Sequence, residues 1–305
     1  MTGFLAGSVV QALVAALFVS AYLRLLGVRS PSERLRFRLL ALAVPLLAHP
    51  AFSLLPYRRD EDFLRDGALF WAGRWEAAGP AGARLLGTAV AGMAVLSLAL
   101  LVRDLLAARR RRPPPAAWGT PPPALRARVL SLAERLEVPA PLLLVSDSRE
   151  PSLLCQGLAR PRLVVSQGAL AGLDDRALEG ALAHELAHLK GRDLLWGWGL
   201  LAARLLLAWN PVVQVLGRKA LHDLEERADA LSAEASSPEA VAAALERLSP
   251  RHALDGSPLQ EAGSLAIRRR LGRLLDGAPA RPASGSGLRL GTAAAALIVL
   301  LAFVA

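Results

Sequence analysis

Two histidines and a glutamate in His184-Glu185-Leu186-Ala187-His188 have the residue types and the spacing of a metal site. Residues four apart share one face of a helix, so both imidazoles can bind the same ion. Glu185 follows the first histidine and can reach a water molecule at that ion, where it would act as a base. Two ligands and a base in this order are typical of zinc hydrolases. The alternative is a pair of solvated histidines on a helix face.

A third metal ligand is expected downstream, because a catalytic zinc ion usually binds three protein side chains and leaves one position for water. Residues 223–229 are the acidic cluster that fits, and Glu225 and Asp229 within it are four apart. We assign Glu225 as the third ligand and Asp229 as a carboxylate that orients a ligand histidine. The alternative is a solvated charged face in which Glu225 pairs with Arg227 or Lys219.

Two further side chains carry weaker signals. His222 lies one helical turn before Glu225 and could donate a hydrogen bond to a developing oxyanion. A partly exposed histidine on a polar face is the simpler explanation. Cys155 is the single cysteine, which excludes a disulfide scaffold. We expect it to be a small buried residue in a strand.

Helix and strand signals place these residues on an α+β domain. Asp174 can cap a helix that carries the two histidines and extends to about Lys190. Asn210 and Pro211 are a capping residue and a first-turn proline, and they predict a second helix to about Glu234. The other predicted helices are 125–136, 238–248 and 265–275, and the predicted strands are 142–146, 153–156 and 162–166.

The apolar stretch 194–216 separates the two motifs and could be taken for a membrane span. A single crossing would leave His188 and Glu225 about 30 Å apart on opposite sides of the bilayer. Metal–ligand bonds are only about 2 Å long. The stretch must therefore enter the membrane and return, or pack inside the domain, and Asn210 and Pro211 are the expected turn.

The composition indicates a membrane protein. Hydrophobic residues make up 53% of the chain and charged residues 20%, against about 45–50% and about 25% in soluble domains. A spanning helix needs about 20 apolar residues, and the candidate spans are 3–23, 39–56, 85–102 and 290–305. The second span contains His49, which is either functional or a packed, hydrogen-bonded side chain. No basic segment precedes the first span, so we expect no cleaved signal peptide.

Arginines set the expected orientation, because cytoplasmic loops of membrane proteins are enriched in Lys and Arg. Segments 24–38 and 103–112 each contain five arginines, and we expect both in the cytoplasm. Acidic residues dilute the arginines of 57–84, which we expect outside. The net charge of +10 thus indicates membrane topology, and we expect no nucleic-acid partner.

Proline-rich and small-residue segments mark the expected domain boundaries. The predicted units are three transmembrane helices with their loops (1–112), a Pro-rich linker (113–123), the metal-site domain (124–276), a second linker (277–289) and a fourth transmembrane helix (290–305). This order inserts the domain between the third and fourth spans and therefore in the cytoplasm.

Residues 151–233 resemble the integral-membrane metallopeptidases of the BlaR/MecR type and are similar to the neighbouring HtpX-like and prenyl-protein-endopeptidase families. The motifs that carry the resemblance are Gly157-Leu-Ala-Arg-Pro-Arg-Leu-Val-Val, His184-Glu-Leu-Ala-His188 with Arg192-Asp193, Asn210-Pro211 and Glu225-x-x-Ala-Asp229. Three membrane helices before the domain and one after it also resemble the BlaR/MecR arrangement. The chain departs from it by ending at Ala305, so we do not expect an antibiotic-sensing role.

The resemblance implies that His184, His188 and Glu225 bind Zn²⁺ and that Glu185 is the catalytic base. Related proteases carry an arginine near the active site, and we assign Arg270 to this place. The alternative for Arg270 is a basic face beside the membrane. The predicted fold is a mostly α membrane protein of about four transmembrane helices with an inserted α+β zincin-like metalloprotease domain.

The predicted function is that of a zinc-dependent endopeptidase of the inner (plasma) membrane. It would cleave a protein or peptide substrate on the cytoplasmic side, in regulated proteolysis or membrane-protein quality control. We expect the substrate to bind by strand addition along the edge of 162–166. The alternatives are a non-catalytic membrane signalling protein with a structural zinc site and a channel or transporter, and the latter fits poorly because the spans contain few paired charges. The sequence leaves the oligomeric state open.

Overall fold

The structure is a computed structural model, and it describes residues 2–54, 79–110, 118–157, 159–248, 258–276 and 284–302. Over these residues the chain is mostly helical and contains one small sheet. The helices that correspond to the predicted spans are α1 (Thr2–Leu25), α2 (Pro31–Leu54), α3 (Gly79–Arg110) and α11 (Ser286–Ala302).

Two stretches within the described residues are helical, long and apolar enough to cross a membrane, namely Ser8–Leu25 in α1 and Pro80–Leu106 in α3. Ser286–Leu301 is a shorter apolar helix. Helix α2 begins at Pro31, earlier than the apolar stretch itself, and includes charged residues in its first turns. The side chain of His49 in α2 lies outside the part that the structure describes.

The predicted domain has both helices and strands. Its elements are β1 (Trp118–Gly119), α4 (Pro123–Arg135), β2 (Leu142–Ser146), β3 (Leu153–Gln156), β4 (Arg162–Ser166), α5 (Gln167–Gly172), α6 (Asp175–Gly191), α7 (Asp193–Leu206), α8 (Pro211–Ala235), α9 (Pro238–Leu248) and α10 (Pro258–Leu275). Strands β2, β3 and β4 have the predicted bounds. Strand β1 lies in the segment predicted to be a linker, and α5 was not predicted.

The four strands form one sheet in the order β1-β2-β4-β3. Strand β4 pairs with β2 in parallel, Leu142 opposite Arg162, and with β3 in antiparallel, Cys155 opposite Leu163. The prediction that 162–166 is an exposed strand edge is therefore wrong, because both of its sides are paired. Among the described residues, β3 is the edge strand on this side of the sheet.

One hydrophobic core lies between α6, α4, α9 and the sheet. Its fully buried side chains include Leu132, Leu163, Val165, Leu182 and Leu186. Helix α6 approaches α9 so closely that a Cβ at Gly180 would lie 2.1 Å from the Ala240 carbonyl oxygen. This packing holds α6 rigidly against the domain.

A second hydrophobic core joins α1, α2 and α11, which correspond to predicted spans, to α7 and the start of α8. It contains Val19 of α1, Phe37 of α2, Leu200 of α7, Val213 of α8 and Leu297 of α11. Helix α8 also packs along α6 and α9. Its first half therefore lies among the apolar helices and its second half in the domain.

The segment between the two metal-site motifs is a helical hairpin. Helix α7 ends at Leu206, and α8 begins at Pro211. Asn210 caps α8, because its side-chain oxygen accepts hydrogen bonds from the backbone N–H of Val212 and Val213. The predicted turn at Asn210 and Pro211 is confirmed, and it returns the chain to the side from which it came.

Candidate metal centre

Helices α6 and α8 bring His184, His188 and Glu225 together. Each offers one ligand atom, and these atoms all lie within 4.8 Å of one another. The Nε2 atoms of His184 and His188 are 3.1 Å apart, and His184 Nε2 is 3.6 Å from Glu225 Oε2. Two imidazole nitrogens and a carboxylate oxygen are a donor set that zinc binds in hydrolases. The residues therefore fit a zinc ion.

The apolar face of α6 explains why the histidines point toward α8. Asp174 caps this helix by accepting a hydrogen bond from the Ala177 N–H. Leu182 and Leu186 are fully buried in the domain core. The histidines lie on another face of the helix, as the 3.6-residue period requires. The local sequence thus supplies both the helix and its orientation.

Each histidine has a carboxylate behind it. His184 Nδ1 is 3.1 Å from Asp229 Oδ1, and His188 Nδ1 is 2.7 Å from Asp193 Oδ2. Both carboxylates are almost completely buried. A carboxylate at Nδ1 fixes the imidazole tautomer and leaves Nε2 for a metal ion. Asp229, predicted to orient a ligand histidine, lies beside His184 Nδ1, whereas no role was predicted for Asp193.

Arg270 of α10 contacts two carboxylates of α8, those of Asp229 and Glu225. Its Nε and Nη2 each donate a hydrogen bond to Asp229 at 2.7 Å, in the fork geometry of a bidentate pair. Its Nη1 is 3.2 Å from Glu225 Oε2. Arg270, assigned to the active site from the sequence, thus lies where its guanidinium contacts both Glu225 and Asp229 of α8.

The corner between α6 and α7 positions Asp193. Arg192 has a left-handed backbone with φ of 52°, which ends α6 and starts α7 in a new direction. Arg227 of α8 forms an ion pair with Asp193 and donates a hydrogen bond to the Gly191 carbonyl at 2.9 Å. Asp193 therefore connects His188 to α8.

Glu185 faces the edge of the sheet. Its Oε2 accepts a hydrogen bond of 2.8 Å from the backbone N–H of Cys155 in β3. The Ser152 carbonyl accepts a hydrogen bond from the Ser166 N–H of β4. Alternate residues of a strand point their backbone groups to opposite sides, so Leu153 and Cys155 direct theirs away from β4. Glu185 of α6 thus lies beside the edge of β3 that faces away from β4.

Electrostatic coupling is strong in this cluster. Burial lowers the pKa of His184, but its contacts with Asp229 and Glu225 outweigh burial and raise the pKa to about 10. Burial raises the pKa of Glu225, but His184, His188 and Arg270 hold it well below its usual range. Glu225 is therefore ionised, and it pairs with His184 and Arg270. Metal binding would release the histidine proton.

Cys155 and His222 lie outside the ligand group. Cys155 is half-buried in β3, and burial together with the Glu185 carboxylate raises its thiol pKa to about 12. A protonated thiol is a poor metal ligand. His222 is exposed on α8, and within the described residues no hydrogen bond or ion pair joins its imidazole to the ligand group.

Comparisons with known proteins agree with this geometry. Residues 131–237 match the family described as BlaR1 peptidase M56. The protease HtpX homolog of Pelotomaculum thermopropionicum is 40% identical over 77 residues, which are 25% of this chain and 27% of that protein. For Thermococcus kodakarensis the same shares apply at 39% identity. The homolog of Thermococcus sibiricus is 29% identical over 177 residues, covering 45% of this chain and 60% of that protein.

The predicted resemblance is therefore confirmed: the chain is similar to membrane zinc metallopeptidases of the HtpX and BlaR1 type. The matched family and these relatives are peptidases. The matched segment contains His184, His188, Glu225 and Asp229, which are the residues that the structure brings together. The chain spans about a quarter of the length of the first two relatives.

Proposed function

We propose that this protein is a zinc-dependent membrane endopeptidase that hydrolyses peptide bonds on the cytoplasmic side of the plasma membrane. The observation that carries the proposal is the convergence of His184, His188 and Glu225 beside Glu185. A zinc ion held by these three ligands supplies the Lewis acid that polarises a peptide carbonyl and acidifies water. Catalytic zinc sites usually have three protein ligands, as would this one, whereas structural zinc sites have four.

Glu185 is the proposed general base. It would accept a proton from the attacking water and return that proton to the leaving amine, which are the two proton transfers that peptide hydrolysis needs. The hydrogen bond from the Cys155 N–H holds one carboxylate oxygen at the strand edge. The other oxygen remains for the water.

The outer side chains would keep the ligands in place. Asp229 and Asp193 orient His184 and His188 through their Nδ1 atoms. Arg270 fixes Asp229 and neutralises part of the negative charge of Glu225. Ligand partners of this kind usually change metal affinity by about 10–100-fold when they are lost.

The substrate would bind at the free edge of β3. An extended peptide could pair there with the outward backbone groups of Leu153, next to the Cys155 N–H that donates to Glu185. This placement replaces the β4 edge that the sequence predicted. His222 is proposed as an additional donor to the oxyanion, and its exposed position one turn before Glu225 leaves it accessible to a bound substrate.

We also propose that the apolar helices form a four-span membrane unit, α1, α2, α3 and α11, with the domain in the cytoplasm. The arginine-rich connections 24–38 and 103–112 support this orientation. Exposed Leu195, Trp198 and Leu206 of α7 would contact lipid. Reporter fusions after Leu136 should read cytoplasmic, and fusions near residue 73 should read external.

Arg204 is a buried charge near the end of α7, and an acidic residue of α3 neutralises it. Arg204 of α7 is 4% exposed, and its Nη2 donates to Asp104 of α3 at 2.6 Å. Its Nε donates to Gln214 at 2.9 Å. Ionisable groups among membrane helices need such partners. These contacts support a hairpin that docks against the spanning helices and does not cross as a single span.

The test is zinc content and cleavage of a generic unfolded protein by the full chain in lipid. His184→Ala, His188→Ala and Glu225→Ala should each lower zinc per chain and abolish cleavage. Glu234→Ala, at an exposed position of α8, is the matched control and should change neither. Wild-type protein that binds zinc but cleaves no protein would favour the non-catalytic signalling alternative. Zinc retained in all three ligand variants would refute the site. Cleavage of unfolded membrane proteins would favour quality control, and cleavage of a single repressor would favour regulated proteolysis.

A further inference from the structure

Two arginines of helix α2 contact α8 next to Glu225, the proposed third ligand. Arg34 Nε donates a hydrogen bond to Asp223 Oδ1 at 3.1 Å, and Arg34 Nη2 forms an ion pair with Glu226. Arg38 donates to Asp223 and to the Lys219 carbonyl. Asp223 and Glu226 lie on either side of Glu225 in the sequence. Hydrogen bonds and ion pairs thus connect the turn of α8 that carries Glu225 to α2.

These contacts are buried and directional. Asp223 is 1% exposed and Arg34 is 9% exposed. Arg34 also donates through Nη1 to the Arg29 carbonyl at 2.6 Å, so all three nitrogens of its guanidinium are used. Arg273 of α10 contacts Glu226 from the other side. The planar guanidinium of Arg34 therefore connects the loop between α1 and α2 to α8.

Ion pairing is not the only contact between α2 and α8. Apolar side chains already pack α2 against α8, with Phe37 and Val213 fully buried. A buried ion pair gains little over apolar packing, because removing the charges from water offsets their attraction. A bidentate arginine instead gives geometric specificity. Metal ligands need that specificity, since ligand distances hold to within about 0.2 Å.

We infer that Arg34 is a positioning residue for Glu225: it fixes the rotation and axial position of α8, so that helix α2 is a structural part of the metal site. The inference rests on the proposed function, because it needs Glu225 to be a ligand. It assigns to α2 a role in metal affinity in addition to any role in the membrane.

The test is the zinc affinity of the full chain in lipid, measured by competition with a chelator at a temperature well below unfolding. Arg34→Gln should weaken zinc binding by about 10-fold, the lower end of the effect of direct ligand partners. Arg36→Gln is the matched control, because Arg36 is exposed on the same helix, and it should bind zinc as the wild type does. Equal affinities in Arg34→Gln and Arg36→Gln would overturn the inference.

Two further variants separate positioning from folding. Arg34→Lys keeps the positive charge but cannot contact Asp223 and Glu226 through two nitrogens of one planar group. It should weaken zinc binding by a few-fold and alter the visible spectrum of the Co²⁺-loaded protein. If Arg34→Gln does not fold, Arg34→Lys decides, and a wild-type affinity and spectrum would overturn the inference. The double variant Arg34→Gln with Asp223→Asn lacks the carboxylate that Arg34→Gln alone leaves unpaired. Its loss of zinc affinity should therefore be smaller than the sum of the losses in the two single variants. Strictly additive losses would contradict the proposed route through Asp223.

Failure of this inference can be distinguished from failure of the proposed function. Wild-type protein that binds no zinc would refute the metal site itself. Wild-type protein that binds zinc, with loss in Glu225→Ala but none in Arg34→Gln or Arg34→Lys, would refute only the role of Arg34.

Discussion

Arg270→Gln should weaken zinc binding more strongly than any other change outside the ligands and the base. The wild-type guanidinium donates two hydrogen bonds of 2.7 Å to Asp229 and lies 3.2 Å from Glu225. Loss of one ligand partner weakens metal binding by about 10–100-fold, or about 1.4–2.7 kcal/mol. Arg270 acts on one ligand directly and on another through Asp229. We therefore expect a loss near the upper end, about 100-fold.

The pH dependence of zinc binding should change as well. Burial raises the pKa of Asp229, but hydrogen bonds from Arg270, together with His184, lower it below its usual value. Arg270 also helps to lower the pKa of Glu225. Both groups must be ionised in the metal site, so their contribution is present at neutral pH and is lost as the pH falls through these pKa values. Removing Arg270 raises both pKa values, and the acidic loss of zinc affinity should begin at a higher pH.

The assay is chelator competition across a pH series, with Arg269→Gln as the matched control. Arg269 is exposed one residue earlier on α10. Arg270→Lys keeps the charge without the fork and should lie between the wild type and Arg270→Gln. If Arg270→Gln and Arg269→Gln give the same affinity over the whole series, the reasoning about Arg270 is refuted.

Asp193→Asn should lower zinc affinity by about 10-fold, because the neutral amide no longer supports the His188 imidazole as a carboxylate does. Wild-type affinity by the same chelator competition would contradict this role. Asn210→Ala should destabilise the fold by about 1–2 kcal/mol, because it removes a helix cap that accepts two backbone hydrogen bonds. Thermal unfolding of the zinc-free protein measures this change, and an unaltered midpoint would contradict it.

The spacing of residues along the sequence was sufficient to predict that His184 and His188 share a helix face, as do Glu225 and Asp229. His184 and His188 are four apart on one helix, and so are Glu225 and Asp229, so each pair shares a face whatever the rest of the fold does. Asp174 and Asn210 were recognisable as helix caps for the same reason. The hairpin followed from the short length of metal–ligand bonds combined with the apolar stretch between the motifs.

Contacts between distant elements were harder to predict. The role of Asp193 depends on the left-handed corner at Arg192, which the residue type does not indicate. The β4 edge was predicted wrongly because the short strand β3 covers it, and strand order is a tertiary property. Arg34 was counted as a loop charge that marks topology. It lies instead within α2, where Asp223 and Glu226, far along the chain, neutralise it.

The central claim is that Glu185 is the base of a zinc peptidase, and Glu185→Gln tests it most directly. Glutamine is nearly isosteric, and its side-chain oxygen can still accept the hydrogen bond from the Cys155 N–H. It cannot accept a proton from water at neutral pH. General acid–base groups contribute about 10²–10⁴-fold to rate, so cleavage should fall by at least about 100-fold while zinc per chain stays at the wild-type value.

Zinc content and cleavage rate should be measured side by side, with Glu179→Gln as the control on the outer face of α6, where Glu179 is half-exposed. The control should keep both zinc and activity. Glu185→Gln that retains its zinc and cleaves at the wild-type rate would contradict the account.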